Sequence, residues 1–130
     1  MKKILIADDD KNILFFLSEL LQRSDYEIVQ AVDGEQALKF AREQKPALIL
    51  LDIMMPGLDG LEVCRQLKTD PETKQIKIIM VTAKTTEPDI ERGLAAGADF
   101  YIPKPFKISV LSEKIRELLE KKKEEQTRKI

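Results

Sequence analysis

The residues with the clearest chemical potential each follow an apolar segment typical of a β-strand. They are Asp8-Asp9-Asp10, Asp52, Thr82 and Lys104. The segment before Asp52, Ala47-Leu48-Ile49-Leu50-Leu51, is unbroken and apolar, as in a strand that is buried on both faces of a parallel sheet. Because an open α/β sheet binds its ligands outside the carboxyl ends of its strands, we expect these groups to meet at one edge.

Carboxylates that are crowded at such an edge repel one another, and they need protonation or a cation in order to coexist. An oxygen cluster without histidine or thiolate favours Mg²⁺, for which Mn²⁺ is a possible substitute. A carboxylate beside bound Mg²⁺ can attack a phosphoryl group and form an aspartyl phosphate. The Lys104 ammonium and the Thr82 hydroxyl could then bind the phosphoryl oxygens, since phosphoryl transfer depends mainly on positioning and charge neutralisation.

Each of these residues also has a plainer interpretation. Asp52 could merely end its strand, Thr82 suits a strand end, and Lys104 alone would be a solvated surface lysine. We predict that Asp10 is the N-cap of the first helix. The functional interpretation therefore depends on all four groups lying at matching strand ends.

The composition narrows the class of protein. The 130 residues correspond to one domain, with 43% hydrophobic and 35% charged residues and a formal net charge of −1. Such a charge gives no reason to expect direct nucleic-acid binding. No apolar run approaches the ~18 residues of a membrane span, so we expect no membrane insertion. The single cysteine fits the reducing cytoplasm, and the lack of any histidine excludes Ser-His-Asp sites, Cys-His sites and His-ligated zinc.

Strands and helices are predicted to alternate five times. The strands are predicted over residues 3–7, 26–32, 47–51, 77–81 and 99–102, and the helices over 12–23, 35–44, 60–68, 88–96 and from 107 or 108 to 119. This order implies an α/β fold with a parallel, doubly wound sheet and helices on both faces. We expect residues 1–119 to form the domain, followed by a charged helix end or linker over 120–130. The apolar residues expected to face inward on the first and last helices are Ile13, Leu14, Phe16, Leu17, Leu20, Leu21, Ile108, Leu111, Ile115, Leu118 and Leu119.

From Lys2 to about Leu119 the sequence resembles the receiver domains of two-component response regulators, including the single-domain chemotaxis regulator. The matching motifs are Ile4-Leu5-Ile6-Ala7-Asp8-Asp9, Leu50-Leu51-Asp52-Ile53-Met54-Met55-Pro56-Gly57-Leu58-Asp59-Gly60, Val81-Thr82-Ala83, Ala96-Gly97-Ala98 and Lys104-Pro105-Phe106. The resemblance implies a flavodoxin-like (βα)5 three-layer sandwich with strand order 2-1-3-4-5. It also implies a cis Lys104-Pro105 peptide bond.

The resemblance implies a role for each site residue. Asp52 would be the phospho-acceptor, Asp9 a direct Mg²⁺ ligand, and Asp8 a ligand acting largely through water. The Met54 backbone carbonyl would complete the metal site together with Asp52. Thr82 and Lys104 would bind phosphoryl oxygens.

The resemblance further implies a switch and its partners. The Tyr101 ring would turn inward when Thr82 is drawn to the phosphate, which changes the face formed by the fourth helix, fifth strand and fifth helix. A sensor histidine kinase or a phosphotransfer protein would supply the phosphoryl group in a phosphorelay. A downstream effector or output domain would read the altered face.

Two positions distinguish this sequence within the family. Met54 and Lys84 match positions that tune self-dephosphorylation, and because an apolar Met54 cannot orient water, we predict a long-lived phosphate. Ile90 and Val110 align with a basic–acidic pair that is usual in the winged-helix transcription-factor subfamily. Their apolar character weakens the case for that style of dimer, although such a pair could form a docking patch.

Three other functions are compatible with parts of the sequence. Flavin or dinucleotide binding needs a phosphate-cradling loop after the first strand, where three aspartates would instead repel an anion. A haloacid-dehalogenase-type hydrolase is suggested by Asp8-x-Asp10, but that family has Thr or Val where this chain has Asn12, and it usually carries a cap domain. A degenerate receiver would bind a partner without being phosphorylated. We expect a phosphoprotein that is not an enzyme, beyond slow self-dephosphorylation at most.

Overall fold

The computed structural model describes the backbone of residues 1–128 and the side chains of residues 1–120. The strands are β1 (Lys3–Ala7), β2 (Glu27–Ala31), β3 (Leu48–Leu51), β4 (Lys77–Thr82) and β5 (Phe100–Pro103). The helices are α1 (Lys11–Gln22), α2 (Gly34–Gln44), α3 (Gly60–Thr69), α4 (Glu87–Ala95) and α5 (Ile108–Arg128). Their ends agree with the predicted ones to within one residue, except that α5 continues to Arg128. Beyond Glu120, the side chains of the predicted charged helix end or linker lie outside the described part, as do residues 129 and 130.

The five strands form one parallel sheet in the order β2-β1-β3-β4-β5, which confirms the predicted topology. The ends of β1, β2 and β3 are level, and β4 continues two residues past the level of Leu51 in β3. Ala7 at the end of β1 lies opposite both Ala31 of β2 and Leu51 of β3, and Thr82 at the end of β4 lies opposite Pro103 of β5. Residues that directly follow these strands therefore emerge at one edge of the sheet.

The strands β1, β3 and β4 are buried on both faces of the sheet, and they are apolar at successive positions. Leu5, Ile49 and Ile78 belong to a core shared with α2, α3 and α4, whereas Ile4, Leu50 and Ile79 belong to a core shared with α1 and α5. This alternation follows from the two-residue period of a strand and confirms the three-layer sandwich.

Two apolar residues predicted to face inward are exposed. Phe16 has 47% of its surface exposed, because at roughly 100° per residue it lies nearly opposite the stripe of Leu14, Leu17 and Leu21 that is buried. Ile108 is 41% exposed, because it is the first residue of α5 and full burial begins one turn later at Leu111.

Local capping explains where the helices begin and end. The Asp10 carboxylate accepts a hydrogen bond from the Asn12 N–H at 2.9 Å, which confirms it as the N-cap of α1. Gly97 follows α4 with a φ of +108°, a left-handed conformation that favours glycine after a helix. Of the helices in the described part of the chain, none is long and apolar enough to cross a membrane.

Cys64 of α3 provides a test of this packing. Its thiol is fully buried, and burial raises its pKa to about 11. At pH 8 roughly one thiol in a thousand would then be ionised, and the reactive thiolate would also be shielded from solvent. We expect a disulfide reagent such as Ellman's to label Cys64 at least ~100-fold more slowly in the folded protein than in urea. An Arg65→Cys variant in a Cys64→Ala background places the thiol on the exposed neighbouring position and should react quickly without urea; rapid labelling of folded Cys64 would contradict the packing.

Candidate functional site

Backbone hydrogen bonds fix three of the site residues at the edge of the sheet. The Asp8 N–H donates to the Ala31 carbonyl at 3.1 Å, and the Asp52 N–H donates to the Ala7 carbonyl at 3.0 Å. The Lys104 N–H donates to the Thr82 carbonyl at 2.8 Å, which connects the end of β5 to the end of β4. The sheet register thus continues one residue past each strand and sets the spacing of the site.

The Lys104 ammonium binds two buried carboxylates. Its Nζ lies 2.7 Å from Asp8 Oδ2 and 3.0 Å from Asp52 Oδ2, and the side chains of both aspartates are at least nine-tenths buried. The cis Lys104-Pro105 peptide implied by the resemblance is present. Lys104 therefore connects the end of β5 with residues that follow β1 and β3.

Asp9 joins the same cluster from the solvent side. One oxygen from each of Asp8, Asp9 and Asp52 lies within 4.8 Å of the others. These three carboxylates face the single ammonium of Lys104, so the cluster carries excess negative charge when all of them are ionised. Hard oxygen donors at this spacing suit an oxygen-preferring divalent cation.

Burial and charge act in opposite directions on the groups of this cluster. Burial raises the pKa of Asp8, and the hydrogen bond from Lys104 only partly offsets that rise. Burial also disfavours the charged form of Lys104, but its hydrogen bonds to Asp8 and Asp52 outweigh this and raise its pKa. Lys104 is consequently a firmly protonated cation beside Asp8, whose carboxylate is costly to ionise.

The loop after β3 is packed closely around Asp52. The Met54 N–H donates to Asp52 Oδ1 at 3.1 Å, while Lys104 binds the other carboxylate oxygen, so both oxygens are oriented. Gly60 is required by a close approach, because a Cβ there would lie 2.2 Å from the Asp52 carbonyl oxygen. In the sequence, Gly60 stood out as the last residue of a family motif and as the start of the third predicted helix. Its contact with Asp52 could not be foreseen, because that contact depends on how the loop folds back.

Thr82 and Tyr101 approach the site through the loop that follows β4. The buried Thr82 hydroxyl oxygen accepts a hydrogen bond from the Lys84 N–H at 3.3 Å. The Tyr101 ring lies inward, with 9% of the residue exposed, and its hydroxyl donates to the Lys84 carbonyl at 2.5 Å. Lys84 therefore links the Tyr101 ring to Thr82 through its own backbone.

A groove of about 470 Å³ opens beside Asp52. Its walls come from the loop after β3, the start of α3, the loop after β4 and helix α4. They are formed by Ile53, Met54, Met55, Asp59, Leu61, Lys84, Asp89 and Arg92. Met54, which is 53% exposed, lies between the groove and the acidic cluster. The site is thus open to solvent on the side of Met54 and Lys84.

The structure brings together most of the residues selected from the sequence. Asp8, Asp9, Asp52 and Lys104 form one cluster, and Met54 adjoins it through its N–H. Thr82 ends the neighbouring strand, and Tyr101 lies one loop away. The predicted roles of these residues in metal and phosphoryl binding remain predictions.

Comparison with known proteins identifies close relatives of this arrangement. The family model of the response regulator receiver domain matches residues 4–116. The chain is 45% identical over 118 residues to the alkaline phosphatase synthesis transcriptional regulatory protein PhoP of Bacillus subtilis, covering 91% of this chain and 48% of PhoP. The chain spans about half the length of the curated relatives it matches.

Solved structures show the same fold. A CheY-like receiver domain protein from Methanospirillum hungatei superposes with a TM-score of 0.89 at 34% identity, covering 96% of this chain and 98% of that one. The receiver domain of a sensor histidine kinase from Pseudomonas aeruginosa, solved with a magnesium ion coordinated in its active site cleft, gives a TM-score of 0.84 at 29% identity. That match covers 91% of this chain and 97% of the other.

The ion pairs of Lys104 can be tested by removing the ammonium. We expect Lys104→Met to lower the free energy of unfolding by about 2 kcal/mol at pH 7 in chelator, because it leaves buried carboxylates without a counter-charge. Lys45 is a matched control, since its Nζ lies 2.8 Å from Glu72 but both side chains are at least half exposed. Lys45→Met should leave the free energy of unfolding almost unchanged, because solvent screens the exposed pair.

A double-mutant cycle in urea separates charge from packing. Adding Asp52→Asn to Lys104→Met removes one of the unpaired carboxylates and should recover part of the lost stability. Equal costs for the Lys45 and Lys104 substitutions, or strict additivity with Asp52→Asn, would contradict the electrostatic account.

Proposed function

The chain belongs to the family of receiver domains of two-component response regulators, and on this premise we propose that it is a phosphorylation switch whose acceptor is Asp52. The observation that carries the proposal is the environment of the Asp52 carboxylate. It is buried at a sheet edge, held by donors on both oxygens, and grouped with Asp8, Asp9 and the Lys104 ammonium. Orientation by two donors prepares the carboxylate for attack on a phosphoryl group.

The transfer itself is a displacement at phosphorus. An oxygen of the ionised Asp52 carboxylate forms a bond to phosphorus, while the bond from phosphorus to the donor atom breaks and its electron pair leaves with the donor group. The product is an acyl phosphate on Asp52. The open side of the site, beside Met54 and Lys84, gives the donor access and lets the leaving group depart.

Mg²⁺ fits the donor set described above, with Mn²⁺ as a possible substitute. Asp8, Asp9 and Asp52 would hold it together with the Met54 carbonyl, and Asp8 would act largely through water. Bound Mg²⁺ would neutralise charge on the phosphoryl oxygens. The magnesium ion in the cleft of the Pseudomonas receiver supports this assignment.

Lys104 and Thr82 serve the phosphorylated state. Lys104 Nζ already binds Asp52 Oδ2 and would shift its contact to a phosphoryl oxygen. The Thr82 hydroxyl would donate a hydrogen bond to another phosphoryl oxygen. Because the hydroxyl oxygen now accepts a hydrogen bond from the Lys84 N–H, this movement of Thr82 would pull the loop after β4. Phosphorylation of Asp52 would thereby move Lys84 and the Tyr101 ring that is bonded to it. This movement would alter the face formed by α4, β5 and α5.

The partners follow from this chemistry. A sensor histidine kinase or a phosphotransfer protein supplies the phosphoryl group, and an effector or output domain reads the α4-β5-α5 face. In this proposal the chain binds no nucleic acid directly, does not insert into a membrane and works in the cytoplasm. It is not an enzyme in the usual sense, because it accepts the phosphoryl group on its own side chain and at most removes it slowly.

Phosphorylation is tested by intact mass after incubation with Mg²⁺ and acetyl phosphate. We expect one phosphoryl adduct on the wild-type chain, lost with chelator and absent from Asp52→Asn, because that substitution removes the nucleophile and keeps the size of the side chain. An Asp33→Asn variant is the matched control. It makes the same change at the N-cap of α2, where asparagine caps equally well, and it should keep the adduct.

The outcomes distinguish the alternative functions. No adduct under any condition would indicate a degenerate receiver that binds its partner without phosphorylation. Continuous release of phosphate without an adduct would indicate the hydrolase.

The lifetime of the phosphate depends on Met54. Its N–H binds the Asp52 carboxylate, and its exposed thioether side chain cannot orient an attacking water, so we expect the acyl phosphate to be long-lived. Met54→Asn supplies an amide that can orient water and should shorten the lifetime on the order of tenfold. Met54→Leu retains an apolar side chain and should leave the decay rate unchanged. A wild-type lifetime of only seconds, or equal decay in the Asn and Leu variants, would refute this role for Met54.

A further inference from the structure

Helix α4 reaches the core through a glycine. Gly93 is the fully buried residue of this helix, and the next residue, Leu94, is 48% exposed. Glycine weakens a helix interior relative to alanine. Its position within α4 therefore needs an explanation.

Backbone conformation does not supply that explanation. Gly57 and Gly97 have positive φ angles, whereas Gly93 has ordinary helical geometry that any residue can adopt. Space does supply it, because a Cβ at position 93 would lie 2.7 Å from Tyr101 Cε2 and 2.9 Å from Tyr101 Cδ2. Both distances are shorter than carbon atoms tolerate. The Tyr101 ring thus occupies the volume that any other residue would need for its side chain.

The ring is held at its other end as well. The Tyr101 hydroxyl donates to the Lys84 carbonyl, and the Lys84 N–H donates to the Thr82 hydroxyl oxygen. The Met80 side chain lies on the same side, 3.7 Å from the position of the added Cβ. A continuous set of contacts therefore runs from Gly93 through the ring and the Lys84 backbone to Thr82.

We propose that Gly93 is the positioning residue for Tyr101: the inward ring requires the bare helix surface at position 93, and a side chain there detaches the ring from Lys84 and uncouples α4 from Thr82. The inference concerns a residue that touches neither the phosphoryl group nor the acidic cluster. Its regulatory meaning rests on the proposed phosphorylation switch, whereas the dependence of the ring on Gly93 does not.

The ring can be observed directly, because the chain has only two tyrosines. In a Tyr26→Phe background labelled with 3-fluorotyrosine, Tyr101 gives a single ¹⁹F resonance. We expect Gly93→Ala to move this resonance most of the way to its position in urea and to expose it to a soluble paramagnetic quencher. Glu91→Gly changes the helix propensity of α4 at an exposed position and should leave the resonance in place. An unmoved, protected resonance in Gly93→Ala would overturn the proposal.

Thermal stability is a second test, because helix propensity and the packing of Tyr101 predict opposite changes in Tm for Gly93→Ala. If Gly93 mattered only through helix propensity, Gly93→Ala would raise Tm and slow amide exchange in α4. The proposal instead expects a lower Tm and faster exchange. It also expects Gly93→Ala to raise Tm in a Tyr101→Ala background, where the ring is gone, and to lower it still in Tyr101→Phe, where the ring remains.

The comparison of backgrounds remains informative if Gly93→Ala alone fails to fold. In that case the proposal expects Tyr101→Ala to restore folding, because it removes the ring that clashes with the new side chain. A rise in Tm in all three backgrounds would overturn the proposal. These measurements use the chain without a phosphodonor, so they are separate from the mass experiment. Failure of Asp52 to form an adduct would refute the proposed function and leave the Gly93 inference standing. An adduct on Asp52 together with an unmoved Tyr101 ring in Gly93→Ala would refute the Gly93 inference and leave the proposed function standing.

Discussion

The contact between the Lys104 ammonium and the carboxylates of Asp8 and Asp52 is the constraint that the rest of this structure must satisfy. It places one cation against two buried anions, with a third anion at the entrance. Buried charges of this kind rarely add net stability, because desolvation cancels much of their attraction. The rest of the fold must therefore hold them in place. The hydrogen bonds from the Asp8 N–H to Ala31 and from the Asp52 N–H to Ala7 do so, because they extend the sheet to the site itself.

The apolar layers make that support rigid. β3 is buried along its whole length, and alternate residues of each central strand belong to the two cores on opposite faces. A close-packed interior of this kind resists the small displacements by which repelling carboxylates could otherwise separate. An excess of negative charge is thus kept at the sheet edge, where a divalent cation and a phosphoryl group can relieve it. The packing of the two cores offsets the electrostatic repulsion between the clustered carboxylates.

The hydrophobic periodicity and the order of the strands were enough to predict which residues lie at the functional edge of the sheet. Asp8, Asp52, Thr82 and Lys104 could be placed at one edge because parallel strands present their carboxyl ends together. Burial within single helices was predicted less accurately, because the apolar residues of α1 cover a wider face than the helix buries, and Phe16 lies on the part that stays exposed. Gly60 and Gly93 show the deeper limit. Their sequence context indicates a turn and a helix, whereas the need for glycine comes from the Asp52 carbonyl and the Tyr101 ring, which other segments bring there.

The same two glycines support the proposed acceptor residue and the proposed switch residue by the same kind of close contact. Gly60 lets the loop after β3 close against Asp52, and Gly93 lets α4 close against Tyr101. Each contact is made where a side chain would intrude, so each has little freedom to adjust gradually. In the proposed switch, a charge added at Asp52 would act on Lys104 and Thr82. Thr82 is joined to Tyr101 through the backbone of Lys84. A ring that fits only against a bare helix surface either occupies that position or leaves it. Under the proposed switch, tight packing would thereby convert a local electrostatic change into a choice between two discrete arrangements of α4.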